Sequence, residues 1–269
     1  MTTLRQVHPL RAARVTVARE LLSYRVNRFL YLHLALMLGI GALALLGPPE
    51  AAAQGTSWWV LNGVIYVASL STLLLGLSSA QAEVEEFALL FTHPLPVAAW
   101  VAGKCVGLCV VVVPAALLLV LPTLIASGYS GLLVGTAFCA AGLSLLFAWL
   151  GLAVGLWIQD PVRGLIAALA LWCVLLFGID LGLLLIGGAP WVHEQRAPWV
   201  AVLMLSPLDA YRITLLFVLE RAAFSGGDLH PLTRWWLENA ALWLGLCLAG
   251  WSALVFGIAV RAAHRRVRP

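Results

Sequence analysis

Residues 101–126 read VAGKCVGLCVVVVPAALLLVLPTLIA and contain one charged side chain, Lys104, near their start. A helix needs roughly 20 consecutive apolar residues to cross the ~30 Å hydrocarbon core of a bilayer. This stretch is longer than that. It is also continuously apolar, whereas strands of a membrane β-barrel alternate in hydrophobicity over about ten residues. The stretch therefore predicts a transmembrane helix.

The rest of the chain agrees with this interpretation. Of its 269 residues, 62% are hydrophobic and only 10% are charged, and the mean hydropathy is +0.98. A soluble domain normally carries about 25% charged residues. Further apolar runs lie at 29–46, 58–77, 132–158, 165–186 and 236–260. The sequence predicts an all-α polytopic membrane protein with about six transmembrane helices in a single domain, 1–269.

The positive charges predict the orientation of these helices. They are concentrated in the N-terminal segment 1–28 and in the C-terminal tail, and Lys104 and Arg163 flank the two even-numbered loops. By the positive-inside rule both termini are cytoplasmic, which requires an even number of crossings. Because the arginines lie close to helix ends, their charge is a topology signal, and we expect no nucleic-acid partner.

The N-terminal segment contains a candidate amphipathic helix, residues 15–28, VTVARELLSYRVNR. Leu21, Leu22 and Val26 recur at helical spacing, and Glu20 is expected on the charged surface with the arginines. Such a helix suits the headgroup layer before the first span. The alternative is a helical cytoplasmic extension of that span.

The loop 79–104 combines acidic and apolar residues. Its glutamates precede a short apolar stretch, and Pro94 and Pro96 then end the helix because proline lacks the amide donor. An exposed apolar stretch suggests that a partner covers it; the alternative is a helix that lies on the membrane or on neighbouring spans. The candidate partner-binding residues are Glu83, Glu85, Glu86, Phe87, Leu89, Leu90 and Phe91.

The segment 190–235 is predicted to lie on the outer side. Ser206-Pro207-Leu208-Asp209 is a good helix start, because serine can cap, proline suits the first turn and aspartate meets the positive helix end. We expect a re-entrant or interfacial outer helix here that carries Asp209 and Arg212 and ends before Gly226-Gly227.

A few further residues could carry function. Asp180 lies inside a predicted span, where an ionisable group is costly, so it either serves a substrate path or helix pairing or is a hydrogen-bonded structural residue. Asp160 is expected to cap the helix that follows it. Cys105 and Cys109, four residues apart, could offer two soft ligands to Cu(I), but no Met or His completes the set, so no metal site is assigned.

No enzyme site is predicted. Catalysis within the membrane needs a nucleophile or a metal set at one depth, and neither paired aspartates nor an H-E-x-x-H helix occurs. Gly103-Lys104-Cys105 also lacks the upstream glycine and the Ser/Thr of an ATP-binding loop. A passive scaffold or channel remains an alternative.

Several segments resemble, in order and spacing, the permease subunits of type-2 ABC exporters, and most closely the NosY-type permeases of nitrous oxide reductase maturation. They are Ala18-Arg19-Glu20-Leu21, the acidic stretch 82–86, Leu89-Leu90, Thr92-His93-Pro94-Leu95, Gly103-Lys104, residues 160–163, Ile179-Asp180 and residues 205–212, LSPLDAYR. The chain departs from the family at Phe87-Ala88 and Val97-Ala98-Ala99, where a Gly-Thr pair and a basic residue are common.

The resemblance implies a multi-pass protein of the bacterial inner membrane that forms a homodimer and binds separate ABC ATPase subunits through the 79–104 loop. ATP and Mg would be held by those ATPases, and this chain would hold no cofactor. The expected function is to couple ATP hydrolysis to substrate movement in copper-enzyme maturation, with a periplasmic maturation protein as a further partner. A lipid, a polysaccharide or a drug is the alternative substrate.

Overall fold

The chain is all-helical in its computed structural model, which describes residues 8–46, 58–82, 96–129, 131–186, 196–219 and 231–267. Helices make up 93% of these residues, and the same ranges contain no strand. This confirms the predicted class, an all-α polytopic membrane protein.

In chain order the helices are α1 (Pro9–Tyr24), α2 (Arg28–Ala44), α3 (Trp58–Asn62, the π-helical Gly63–Ala68 and Ser69–Gln81), α4 (Val97–Ser127), α5 (Gly131–Trp157), α6 (Pro161–Ile186), α7 (Arg196–Leu205), α8 (Pro207–Leu219), α9 (Pro231–Glu238) and α10 (Ala240–Val267).

Five helices, α3, α4, α5, α6 and α10, are each long and apolar enough to cross a membrane. Helix α2 has 17 residues, at the lower limit of a spanning helix, and it forms a pair with α1 that is bent by 75°. With α2 as the first crossing, the described chain has the six spans that the sequence predicts.

Contacts between helix termini show that these six helices alternate in direction. Asn27, just before α2, donates to Ser78 near the end of α3 (3.2 Å), and Gln81 donates to Pro161 at the start of α6 (3.4 Å). The end of α10 meets the end of α5, where Arg266 donates to the Gly155 carbonyl at 2.7 Å. Helix α1 and the end of α10 therefore share one end of the bundle, here called the α1 end; the opposite end is the α8 end.

Small residues hold the centre of the bundle together. At Gly76 of α3 a Cβ would overlap the Ala148 carbonyl of α5, and at Gly151 of α5 it would overlap the Leu73 carbonyl of α3. Gly151 and Gly155 form a G-x-x-x-G pair, a spacing that lets two helix backbones approach closely in a membrane. Helices α3 and α5 are consequently the closely packed central pair, and the other spans pack around them.

The segment α7–α8 enters the bundle from the α8 end and turns back. The two helices are bent by 98° at Ser206. The Leu205 carbonyl accepts from Trp251 of α10 at 2.9 Å, whereas Thr214 of α8 donates to the Ala240 carbonyl at the start of α10 (3.2 Å). Eleven residues of helix separate Ala240 from Trp251, roughly 16 Å at 1.5 Å per residue. The pair is therefore re-entrant, which is one of the two arrangements that the sequence predicts.

Three predictions on local structure need correction. The amphipathic helix is Pro9–Tyr24, because the chain turns at residues 25–27 and Asn27 then caps α2 by accepting from the Phe29 amide (2.9 Å). Glu20 is only 2% exposed, so it does not belong to a charged outer surface. The run 236–260 is not one helix either, because a turn at Asn239 separates α9 from α10.

The two predicted helix caps are confirmed. The Asp160 carboxylate accepts from the Arg163 amide at 2.7 Å, and the Ser206 hydroxyl accepts from the Asp209 amide at 3.2 Å. Each satisfies an amide of the first helical turn that has no partner within its own helix. Helix α7, which precedes the second cap, has no counterpart in the sequence-based prediction.

Candidate functional sites at the two ends of the bundle

At the α1 end, two glycines of α4 allow α1 to pack directly on it. A Cβ at Gly103 would overlap Thr16 and the Ala13 carbonyl of α1, and one at Gly107 would approach Glu20. These glycines form a second G-x-x-x-G pair, on the α4 face that α1 covers. The close approach brings Glu20 of α1 next to Lys104 of α4.

Glu20 and Lys104 form a buried ion pair. Lys104 Nζ lies 2.7 Å from Glu20 Oε2, and the two side chains are 0% and 3% exposed. The other carboxylate oxygen accepts from the Tyr24 hydroxyl at 2.9 Å and from the Ser79 hydroxyl. Lys104 also donates to the Ser79 carbonyl (3.1 Å) and lies 5.5 Å from the Trp100 ring centroid. We call Glu20, Tyr24, Ser79 and Lys104 the clamp.

The clamp joins three separate parts of the chain. Glu20 and Tyr24 belong to α1, Ser79 to the last turns of α3 and Lys104 to the start of α4. Taking two charges out of water costs several kcal/mol per ion and is offset only by close geometry with further hydrogen bonds. The clamp supplies both, so α1 and the adjoining ends of α3 and α4 are held as one unit.

The residues of the clamp flank the predicted partner-binding loop in the sequence. Glu83, Glu85, Glu86 and the apolar residues Phe87, Leu89, Leu90 and Phe91 lie outside the described residues. The residues on either side, up to Ala82 and from Pro96, lead directly into Ser79 and Lys104. Both ends of the loop are thus attached to α1 through the Glu20 carboxylate.

At the α8 end, the structure brings together the three charged residues that the sequence singles out there. Arg212 of α8 lies 3.3 Å from Asp180 of α6 and 3.4 Å from Asp209 of α8. The side chain of Asp180 is 47% exposed, that of Arg212 27% and that of Asp209 8%. One cation is therefore shared by two carboxylates near the start of α8, and this cluster ties α6 to α8.

The break between α7 and α8 exposes backbone carbonyls inside the bundle. Trp243 donates to the Met204 carbonyl at 2.8 Å, and Trp251 and Cys247 donate to the Leu205 carbonyl at 2.9 and 3.6 Å. Irregular backbone at membrane depth is tolerated where protein groups satisfy it. One face of α10 thus supplies the donors that stabilise the broken helix.

A further group of polar side chains lies inside the bundle, where α2, α3 and α6 meet. The Ser71 hydroxyl donates to the Ala68 carbonyl (3.0 Å), so it accepts from His33 Nδ1 at 2.8 Å. Trp172 of α6 donates to the Ser69 hydroxyl at 2.9 Å. Among the described residues His33 Nε2 has no hydrogen-bond partner. These bonds lie just after the π-helical part of α3 and join α3 to α2 and α6.

The structure gives no support to a copper site at Cys105 and Cys109. Cys105 is buried and Cys109 partly buried, and no group of three or more potential metal ligands occurs in the described part of the chain. His93, His193 and His230 lie outside the described ranges.

Sequence reasoning placed Asp180, Asp209 and Arg212 but missed the clamp. Glu20 and Lys104 are 84 residues apart, and each looks like an ordinary charge beside a span. The available signal was Gly103-x-x-x-Gly107, because this spacing on an apolar helix predicts a close helix contact. The ion pair follows once that contact is assigned to α1.

No protein-family model and no curated protein sequence matches this chain significantly.

Proposed function

We propose that this chain is the membrane-spanning permease subunit of an ABC transporter. The observation that carries the proposal is the clamp, because it joins α1 to both ends of an acidic and apolar loop, 83–95. A partner that moves the loop would thereby move α1, α3 and α4 together. The resemblance to type-2 ABC exporters adds support, since it assigns ATPase binding to the same loop.

In this function the loop and the clamp transmit force into the membrane. Dimerisation of two ATPase subunits on binding ATP brings the attached loops together, and the clamp carries that movement to the first turns of α4. The transmembrane helices then change between two arrangements, because ATP favours one of them. A second copy of the chain supplies the other half of the translocation path.

The orientation follows from the same assignment. The α1 end holds both ends of the described chain and its arginine-rich segments, so it faces the cytoplasm of a bacterial inner membrane. The re-entrant segment and the cluster of Asp180, Asp209 and Arg212 then face the outer side. We assign these three residues to the substrate path or to pairing between α6 and α8.

The substrate we favour is one that serves the maturation of a copper enzyme, which is the setting of the NosY-type permeases. A lipid, a polysaccharide or a drug is the alternative cargo, and a membrane scaffold without transport is the alternative function. Transport-coupled ATPase activity distinguishes a permease from a scaffold.

The test is whether the 83–95 loop binds an ATPase subunit. Phe87 and Phe91 can each contribute on the order of 1.5–3 kcal/mol when covered by a partner, whereas the glutamates at the rim contribute more to orientation than to affinity. The tagged chain purified from its native membrane should carry an ATPase subunit. Phe87→Asp and Phe91→Asp should each release it, and Glu83→Gln or Glu85→Gln should weaken the complex modestly.

Tyr129→Asp is the matched control, because Tyr129 is 79% exposed and lies between α4 and α5 at the opposite end. It should leave the complex intact. Retention of the ATPase by both Phe87→Asp and Phe91→Asp, or absence of any ATPase from the purified wild-type chain, would contradict the proposal.

A further inference from the structure

A groove between α5, α6 and α10 opens onto the lipid-facing side of the bundle near the α1 end. Its volume is about 630 Å³, within the 300–1,000 Å³ typical of small-molecule sites. Its walls are apolar and come from all three helices: Ala153 and Val154 of α5, Ala167 and Leu171 of α6, and Val255 and Ile258 of α10. An apolar chain fits this part of the groove.

The mouth of the groove is cationic. Arg261 and Arg265 line it and, four residues apart, they lie on one face of α10. The Arg265 guanidinium lies 4.5 Å from the ring centroid of Trp157, the last residue of α5. Stacking on the ring face orients the guanidinium and leaves its N–H donors around the edge of its plane. Within the described ranges, neither arginine forms an ion pair with a carboxylate.

The cationic mouth and the apolar walls of the groove lie at the depths of the headgroup and the acyl chains of an anionic lipid in a bilayer. Tryptophan is enriched where the bilayer meets water, and Trp157 together with the arginines marks this level at the end of α10. The apolar walls extend from there toward the bilayer centre. Basic pockets between transmembrane helices on the cytoplasmic side are a recurring form of headgroup recognition.

A second copy of this chain fits the groove less well. A twofold dimer in a membrane has its axis along the membrane normal, so both copies present the α1 end on the same side. A partner copy would bring its own arginine-rich end to this level, where Arg261 and Arg265 already lie. Like charges at close range oppose that contact, whereas a phosphate attracts both arginines.

We propose that this groove binds an anionic phospholipid, with an acyl chain between α5, α6 and α10 and its phosphate held by Arg261 and Arg265. The proposal needs only that the chain is embedded in a membrane, so it is independent of the assignment to ABC transporters.

The test measures lipid affinity on the full chain purified in detergent. The probes are phosphatidylglycerol and phosphatidylcholine, and the readouts are retained lipid in native mass spectrometry and the rise in thermal unfolding midpoint as lipid is added. We expect phosphatidylglycerol to be retained and to raise the midpoint at lower concentration. A basic residue near an anionic lipid contributes about a fivefold factor in affinity. The double variant Arg261→Gln/Arg265→Gln should therefore bind phosphatidylglycerol about 25-fold more weakly.

The matched control is Arg25→Gln/Arg163→Gln, which removes the same charge from two exposed arginines of the α1 end that do not line the groove. It should change the affinity less than about twofold, compared with the ~25-fold expected above. Ala167→Phe fills the apolar part without changing any charge, and it should reduce lipid retention even if the double arginine variant fails to fold.

Four results would overturn the proposal. The first is equal binding of the two lipids, and the second is equal loss of binding in both double variants. The third is that Ala167→Phe leaves lipid binding intact while inorganic phosphate alone reproduces the rise in the midpoint, which would indicate an anion site only. A dimer that Ala167→Phe separates, and that added lipid does not, would assign the groove to contact between copies and likewise overturn it.

Discussion

At the scale of single residues, the energetics of the clamp depend on whether both charges are present. Lys104 is fully buried, and Glu20 is its ion-pair partner. Removing one member of a buried ion pair leaves an uncompensated charge and typically costs 3–5 kcal/mol, whereas replacing both by apolar residues is often neutral or stabilising. The two kinds of substitution therefore separate the contribution of the clamp to folding from the role in transmitting movement that we propose for it.

Glu20→Met and Lys104→Met should each destabilise the protein by about 3–5 kcal/mol, and the double variant Glu20→Met/Lys104→Met should recover most of that loss. Thermal unfolding of each variant in mild detergent measures this. Arg163→Gln, at an exposed position of the same end, is the control and should unfold like the wild type. Additive losses in the double variant would contradict the ion pair.

Asp180 differs from the clamp residues in two ways. Its side chain is 47% exposed, and Asp209 is about as close to Arg212 as Asp180 is. Because Asp209 also pairs with Arg212, Asp180→Asn leaves that arginine with one carboxylate partner. Asp180→Asn should thus leave expression and unfolding nearly unchanged while lowering transport or transport-coupled ATPase activity, because it alters the charge where α6 meets the start of α8. Wild-type activity in this variant would show that Asp180 is an incidental polar residue.

At the scale of helices, contact between backbones decides which substitutions the bundle tolerates. The α3–α5 crossing leaves no room for a Cβ at Gly76 or Gly151. Without a hydrophobic driving force between helices in lipid, close packing supplies much of their association. By contrast, Gly257 of α10 has nothing near the place that a Cβ would occupy. Replacing glycine by alanine can therefore lower stability at Gly151 of α5 and leave it unchanged or raise it at Gly257 of α10.

Gly151→Ala should destabilise the protein by about 1–3 kcal/mol, the usual cost of overpacking, because α3 must move away from α5. Gly257→Ala should be neutral or stabilising by up to about 1 kcal/mol, because alanine favours helix more than glycine does. Thermal unfolding and gel filtration of the two variants test the difference. Equal stability of the two variants would mean that the crossing is looser than the structure shows.

The sequence predicts the long helices well, because a bilayer imposes a length and an apolar composition that one local window can detect. The caps at Asp160 and Ser206 are also local, and both are confirmed. The clamp could not be derived in the same way, because its ion pair depends on a contact between α1 and α4. The π-helical part of α3 was missed for a different, local reason. The hydroxyl of Ser69, the residue that follows it, donates to the Ile65 carbonyl within the helix, a competition that apolar periodicity does not record.

At the scale of the whole molecule, the charge distribution in the sequence and the contacts between helix ends lead to the same arrangement of the helices. The arginine distribution predicts that both termini lie on one side, and the contacts of Arg266 with Gly155 and of Gln81 with Pro161 join helix ends at one end of the bundle. The re-entrant α7–α8 segment keeps the number of crossings even. If that segment crossed the membrane, the arginine-rich end of α10 would lie on the side opposite α1.

Labelling of single cysteines in a background lacking the five native cysteines tests this arrangement. Tyr129 is exposed between α4 and α5, so Tyr129→Cys should react with a membrane-impermeant maleimide added outside intact cells. Gly226→Cys, in the segment predicted to be outside, should react likewise. His264→Cys, at the exposed end of α10, should react only after permeabilisation. Labelling of Gly226→Cys from the cytoplasmic side alone would refute the six-span arrangement. Labelling of Tyr129→Cys and His264→Cys from the same side would refute the alternation of the helices.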